Sequence, residues 1–194
     1  MFNVKRLRCF VGHLAFWLPW IVSLILWRIP SSISSTYYTH AGVVFMIILG
    51  ACSVFLMFYD GYDKTDDVLN TIAGVFGLLI CLFPCMTNAE RVGTFQTPVA
   101  ISAAIHNISA VVFFLMLAYV SLFQFTKSKG NITEKKKKRN VIYRICGVGM
   151  VASFAILLLP SFYIQVWLTE MFALSFFGVS WLTKANAYKW LFAD

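Results

Sequence analysis

From Phe10 almost to the C-terminus, long apolar runs alternate with short polar segments. A helix needs about 20 apolar residues to cross the hydrocarbon core of a bilayer. The runs predict spans at about 10–27, 41–59, 68–85, 101–125, 141–160 and 164–182. The second begins after the polar stretch Ser31–His40 and stops at Tyr59-Asp60-Gly61, and the third stops at Pro84. A basic loop, Lys127–Asn140, follows the fourth. The last apolar stretch, 141–182, is too long for one crossing at about 1.5 Å per residue. Pro160-Ser161 is the expected break, because proline lacks the helical donor and crowds the preceding turn.

Composition agrees with this pattern. Of 194 residues, 60% are hydrophobic and only 12% charged, and the mean hydropathy is +0.77. Six spans and their loops use up the chain, so the expected fold is all-α: one polytopic transmembrane bundle of six helices over residues 1–194. Phe10–Trp27 follows Lys5, Arg6 and Arg8 as a signal peptide would. Its apolar part is too long for one, and Arg28-Ile29-Pro30 offers no small-residue cleavage site, so it reads as a retained span.

The net charge is +8. It points away from nucleic acid, because most of it lies in one loop and at the N-terminus. Six crossings put both termini on one side, and cytoplasmic termini place fourteen of the 16 lysines and arginines inside. That inner set is Lys5, Arg6, Arg8, Lys64, Lys127, Lys129, Lys135, Lys136, Lys137, Lys138, Arg139, Arg144, Lys184 and Lys189; only Arg28 and Arg91 are outside. The asymmetry follows the positive-inside rule. The expected location is the cell (inner) membrane, or an endomembrane in a eukaryote. The Asn131-Ile132-Thr133 sequon then faces the cytoplasm, and Asn107-Ile108-Ser109 lies inside a span. The run Lys135-Lys136-Lys137-Lys138-Arg139 reads as a topology determinant and an anionic-lipid contact.

Trp17, Trp20, Trp27, Tyr37, Tyr38, Tyr59, Tyr62, Tyr163, Trp167, Trp181, Tyr188 and Trp190 fall mostly near span ends, the interfacial aromatic pattern. The cysteines (Cys9, Cys52, Cys81, Cys85 and Cys146) lie in or beside spans, with Cys81 and Cys85 spaced to share one helix face. No zinc spacing occurs, and they read as small buried apolar residues. Asp60, Asp63, Asp66 and Asp67 form an acidic turn that lacks the glycine and glutamate positions of a calcium-hand loop. Asp66 or Asp67 is expected to cap the third span. No metal and no cofactor are expected.

Polar residues inside a membrane are costly, so they face other helices and often mark function. Three helix faces stand out: Ala103, His106, Asn107 and Ala110; Glu170, Ala173, Leu174, Phe177, Gly178 and Trp181; and Asn70, Ala73, Gly74, Gly77 and Cys81. Small residues and amides on such faces let helices pack closely. His106 and Glu170 each lie five or six residues from the outer ends of parallel spans, roughly 8 Å deep. The expected site is a polar outer-leaflet pocket built on His106 and Glu170, with Asn107, Tyr37, Tyr38 and His40 as further candidate ligand-binding residues and the Ser31–His40 loop as its roof. The competing reading is a Glu–His or Glu–Tyr hydrogen bond that merely fixes helix register. His13 lies at the other end of its span, away from this group.

Several stretches carry a family likeness. They are the Ser-rich segment from Pro30 into Val43-Val44-Phe45, the run Asn70-Thr71-Ile72-Ala73-Gly74, and His106-Asn107-Ile108-Ser109-Ala110 followed by Phe113-Phe114. The pattern resembles the Frag1/DRAM/Sfk1 group of six-span membrane proteins. Phe177-Gly178-Val179-Ser180-Trp181-Leu182 also looks like uncharacterised bacterial multi-span proteins. The resemblance implies a six-helix bundle with a role in lipid remodelling, lipid distribution or membrane-linked regulation, and an interest in His106; Glu170 has no counterpart in it.

Three function classes follow. The first is a lipid-binding or membrane-regulatory protein, with membrane lipids as partners and a second copy or another membrane protein as a further one. The second is a lipid-modifying enzyme of the acyl-transfer or hydrolysis type, with His106 as general base, Glu170 orienting it and Ser102, Ser109 or the Ser31–Ser35 loop supplying a nucleophile. No Gly-x-Ser-x-Gly motif supports it. The third is a small transporter or proton-linked channel through Glu170, against which stands the lack of an inverted repeat. A ceramidase-like zinc hydrolase does not fit, because the three histidines lie on separate segments.

Overall fold

In the computed structural model, which describes residues 4–128 and 130–187, six α-helices form an all-α bundle. They are α1 (Val4–Leu26), α2 (Gly42–Met57), α3 (Lys64–Leu82), α4 (Val99–Tyr119), α5 (Glu134–Ser153) and α6 (Gln165–Lys184). Successive helices are neighbours, and α6 closes the ring against α1. A two-residue β-ribbon, Arg91–Val92 with Thr97–Pro98, decorates the α3–α4 connection. Lys129, Tyr188, Lys189 and Trp190 lie outside the described residues.

Five of the six helices are long and apolar enough to cross a membrane, and α2 is the shorter apolar one. Outward-facing side chains are apolar along their length, among them Val43, Ile47, Ile101, Ile108, Val148 and Phe172. Such a surface fits an integral membrane protein.

The helices depart from the apolar runs in ways that have local causes. α1 and α5 begin six and seven residues before the starts expected for their spans, 10 and 141, and take in basic side chains. α5 does so because Thr133 caps it, accepting from the Lys136 N–H at 3.2 Å. Asp63, not Asp66 or Asp67, caps α3 by accepting from the Asp66 N–H at 3.0 Å. Asp66 turns inward instead, taking the Tyr62 N–H and the Asn70 amide, while Asp67 takes the Gly61 N–H. α3 ends at Leu82, so Cys85 lies beyond it and does not share a helix face with Cys81. All five cysteines are free.

Two helix ends close in the same way. Trp27 and Asn186 adopt left-handed conformations (φ 52 at both). The following N–H groups, of Arg28 and Ala187, reach back to Ser23 and Leu182 oxygens. This is the Schellman closure. α4 runs on into a π-turn, Val120–Gln124. The α-helical part of α5 stops at Ser153, ahead of the expected break at Pro160, and a 3-10 turn, Phe154–Leu158, completes it.

An aromatic cluster is buried in the core. Trp181 packs edge-on against Tyr59, Phe55, Phe125 and Phe177. Trp181 and Trp167 are 1% and 3% exposed, so these two belong to the core and not to an interfacial belt. α1 meets α6 where Gly12 faces Gly178; a Cβ on Gly178 would sit 2.7 Å from the Gly12 oxygen, so only glycine permits this approach.

Candidate functional site

The two ends of the bundle differ in construction. One carries segments 27–41, 83–98 and 159–164. The other carries 58–63, the chain after Gln124, and the first and last turns of α1 and α6, and it is held partly by a Lys127–Asp63 ion pair at 2.6 Å. The candidate site is at the first end.

Glu170 lies in the second turn of α6 and reaches across to the segment between α1 and α2. There a short 3-10 turn, Ser34–Tyr38, begins at Ile33, which has no capping side chain; Ser32 Oγ takes the Ser35 N–H at 2.8 Å, and the Ile33 and Ser34 N–H groups are left over. Glu170 caps them from 136 residues away. The Ser34 hydroxyl donates to Oε1 at 2.6 Å, the Ser34 N–H to Oε1 at 3.3 Å, and the Ile33 N–H to Oε2. A carboxyl at a helical N-terminus satisfies orphan donors and meets the favourable end of the peptide dipoles. The Trp167 N–H donates to the Ser31 oxygen at 3.0 Å and staples the same loop one turn earlier.

A second set of bonds closes the end of α3. Past Leu82 three successive carbonyls have no helical partner, and three side chains supply donors. His106 Nδ1 lies 2.8 Å from the Phe83 oxygen, the Ser102 hydroxyl donates to the Pro84 oxygen at 2.8 Å, and the Tyr38 hydroxyl donates to the Cys85 oxygen at 2.6 Å. Burial first, then Cys85 and Tyr37, pushes the Tyr38 phenol up to about 12, so it remains a donor. A carbonyl oxygen can only accept, so His106 Nδ1 is the donor in this bond.

Between these two tethers lies a cavity of about 440 Å³. His106, Asn107 and Glu170 all line it, together with Ser34 and Thr169; the remaining wall is apolar, including Leu18, Phe45, Phe113 and Leu174. Its volume is in the range of small-molecule sites. The cavity exists because α4 and α6 barely touch, and the 3-10 end of α5 contributes Phe154 and Leu157 to its side. The rim residues Val111, Leu157 and Val166 are each 44% exposed, so the opening faces sideways from the bundle.

Of the residues singled out from sequence, the fold therefore brings His106, Asn107 and Glu170 to one cavity. His106 and Glu170 are not hydrogen-bonded to each other; each serves a backbone segment. Tyr37, Tyr38 and His40 do not line the cavity. Tyr37 stacks edge-on with Tyr38, and His40 Nε2 lies 3.1 Å from the Ile25 oxygen at the end of α1. The roof of the cavity is Ile33 and Ser34. Sequence reasoning missed Ser34 as the partner of Glu170, and also Thr169 and Phe154. The Ser-rich patch was the available signal for Ser34, but nothing in it distinguishes one serine from the next.

The basic run is divided by the helix it starts. Lys135, Lys137 and Lys138 are exposed, with Lys137 paired to Glu134 at 2.7 Å. Lys136 turns inward, donating to the Phe125 oxygen at 2.6 Å over the Tyr143 ring, and Arg139 donates to Asn186 at 2.6 Å.

Chemically the cavity offers the Glu170 carboxyl, the His106 ring and the Asn107 carboxamide. Ser102, the serine one turn before His106, spends its proton on Pro84. No group of three or more His, Cys, Asp or Glu among the described residues is placed to hold a metal ion. No protein-family model, curated protein or solved structure matches this chain.

Proposed function

We propose that this is a six-crossing membrane protein with both chain ends in the cytoplasm, and that it binds the apolar tail of a lipid from the outer leaflet in the cavity between α4 and α6. One observation carries the reading: His106, Asn107 and Glu170 meet in the wall of an otherwise apolar cavity whose rim faces sideways. An apolar chamber that opens laterally, within reach of lipid, suits an acyl chain better than a water-soluble solute. The charge asymmetry supports the orientation, because the end away from the cavity carries most lysines and arginines. On that side Lys135, Lys137 and Lys138 contact anionic lipid headgroups. The likeness to Frag1/DRAM/Sfk1 proteins runs parallel to this reading and adds a lipid theme.

The test is photolabelling of the purified full chain in nanodiscs with a diazirine-bearing acyl probe, followed by peptide mapping. Label is expected on α4 and α6 peptides near Ala110 and Ala173, reduced several-fold by Ala173→Phe, which fills the chamber. Ala110→Phe provides a second filler should the first not fold. Label spread evenly over lipid-facing peptides, and unchanged by either filler, would overturn the proposal.

A further inference from the structure

A second chamber of about 570 Å³ adjoins the first, and Asn107 and Val166 belong to the walls of both. The two chambers differ in character. The inner one is apolar apart from the side chains already described, whereas the second mixes Ser31, Ser32, Ser35, Ser161 and Gln165 with Cys85, Met86, Phe162 and Tyr163. A greasy chamber that shares wall residues with a more polar one suits an amphiphile: tail within, head at the mouth.

The wall chemistry constrains that head. Among the described residues, neither chamber is lined by a lysine or an arginine. A phosphate or carboxylate desolvated there would find no cation to pair with, so an anionic head is disfavoured. The shared wall offers one carboxamide, Asn107, and the inner chamber's wall adds the Glu170 carboxyl as an acceptor. Asn107 makes no hydrogen bond to any described residue, although it stands on a helix that crosses the membrane. The Asn107 side chain is exposed on the bundle, so its carboxamide is open to a ligand. It lies where the two chambers join, where the head of an amphiphile would meet its tail.

We infer that the ligand is a single-tailed lipid with an uncharged, hydroxyl-bearing head of the glycerol type, its hydroxyls bonding the Asn107 carboxamide in the shared wall and donating to the Glu170 carboxyl of the inner chamber. This rests on the lipid-binding reading above and narrows it to a headgroup class. Acceptors select donors, and the lack of a cation rejects anionic heads, so specificity arises from both attraction and penalty.

The experiment uses three photoactivatable probes with the same tail: a monoacylglycerol, a fatty acid and a lysophosphatidic acid. Each is presented to the full chain in nanodiscs and displaced by its unlabelled counterpart. The monoacylglycerol probe is expected to label α4 and α6 peptides and to be displaced at about tenfold lower concentration than the two anionic probes, the effect of one or two hydrogen bonds. Asn107→Leu is expected to abolish that preference while leaving tail labelling in place. Val166→Lys puts a cation into the shared wall and is expected to invert the preference toward the phosphate head; it keeps the test decisive if Asn107→Leu does not fold. Equal or stronger labelling by an anionic probe on the unmodified chain would overturn the headgroup inference and leave the lipid pocket standing. No displaceable labelling by any of the three would sink both.

Discussion

The Ser34 hydroxyl donates to Glu170 Oε1 at 2.6 Å, across 136 residues of sequence. This bond, with the two backbone donors beside it, ties the loop between α1 and α2 to the beginning of α6. A polar pair buried in a helical bundle is often read as interhelical glue. Here the carboxyl is the missing cap of a 3-10 turn, and that turn is the roof of a cavity. Structure and site are one device, because the group that holds the roof down also faces the chamber beneath it.

The first prediction concerns that tether. Glu170→Ala leaves the Ile33 and Ser34 N–H groups without their acceptor and should destabilise the protein by about 1–3 kcal/mol. Ser34→Ala removes one bond and should cost about 1 kcal/mol. The two residues share the interaction, so the double variant should lose less than the sum of the single losses. Thermal unfolding in one detergent gives all three values; strict additivity would show that the pair is not coupled.

Helix contacts provide a second prediction. A Cβ on Gly77 would collide with the Ser53 hydroxyl, and one on Gly74 would lie 2.5 Å from the Ser53 oxygen, whereas Gly50 has nothing within 4 Å. Gly77→Ala and Gly74→Ala should therefore each destabilise by about 1–3 kcal/mol through forced backbone shifts. Gly50→Ala should be neutral or stabilise by up to about 1 kcal/mol, because alanine is the better helix former. Melting temperatures of the three variants check the order, and a Gly50→Ala loss as large as the others would contradict it.

The third prediction is a pH dependence at the far end of the bundle. The hydrogen bond from Lys127, and then the Asp66 N–H, hold the Asp63 carboxyl below its ordinary value of 3.8. A carboxyl depressed in the folded state contributes stability that is fully present above its unfolded pKa and is lost as pH falls through the folded one. The contribution should thus be intact at neutral pH and disappear below about pH 3.8. Both partners are more than a third exposed, so the effect is small and salt-sensitive. Asp63→Asn, which keeps a capping oxygen, should narrow the difference in melting temperature between pH 6 and pH 3; an unchanged difference would remove Asp63 from the account.

Topology supplies the fourth. Only α2 falls short of the usual crossing length, at 16 residues or about 24 Å. In the six-crossing reading it still spans, with its flanking residues completing the passage. Cysteines introduced at Ser161 and Asn131, in a background lacking the five native thiols, should react with an impermeant maleimide from opposite sides: Ser161 in intact cells, Asn131 only after permeabilisation. Labelling of both from one side would remove the orientation and the outer-leaflet site with it.

How much of this was legible beforehand depends on the range of the interaction. Helix identity was plain in the chain, because apolar runs of about 20 residues between polar breaks admit few other structures. Facing surfaces were also readable: Ala73, Gly74 and Gly77 do turn inward, and His106 and Glu170 do reach one cavity, because the 3.6-residue period and the span ends set their angle and height. Helix ends were less so. Asp63 won the cap over Asp66 and Asp67 because its backbone, at φ -153, is the one left extended, and nothing local in an acid-rich turn decides among neighbours. What only the tertiary structure decided was the pairing of distant polar groups: Glu170 with Ser34, His106 with Phe83, Tyr38 with Cys85. Those partners are backbone atoms freed where helices stop, and every residue carries the same backbone atoms, so composition and spacing hold no trace of which are left over until the helices have packed.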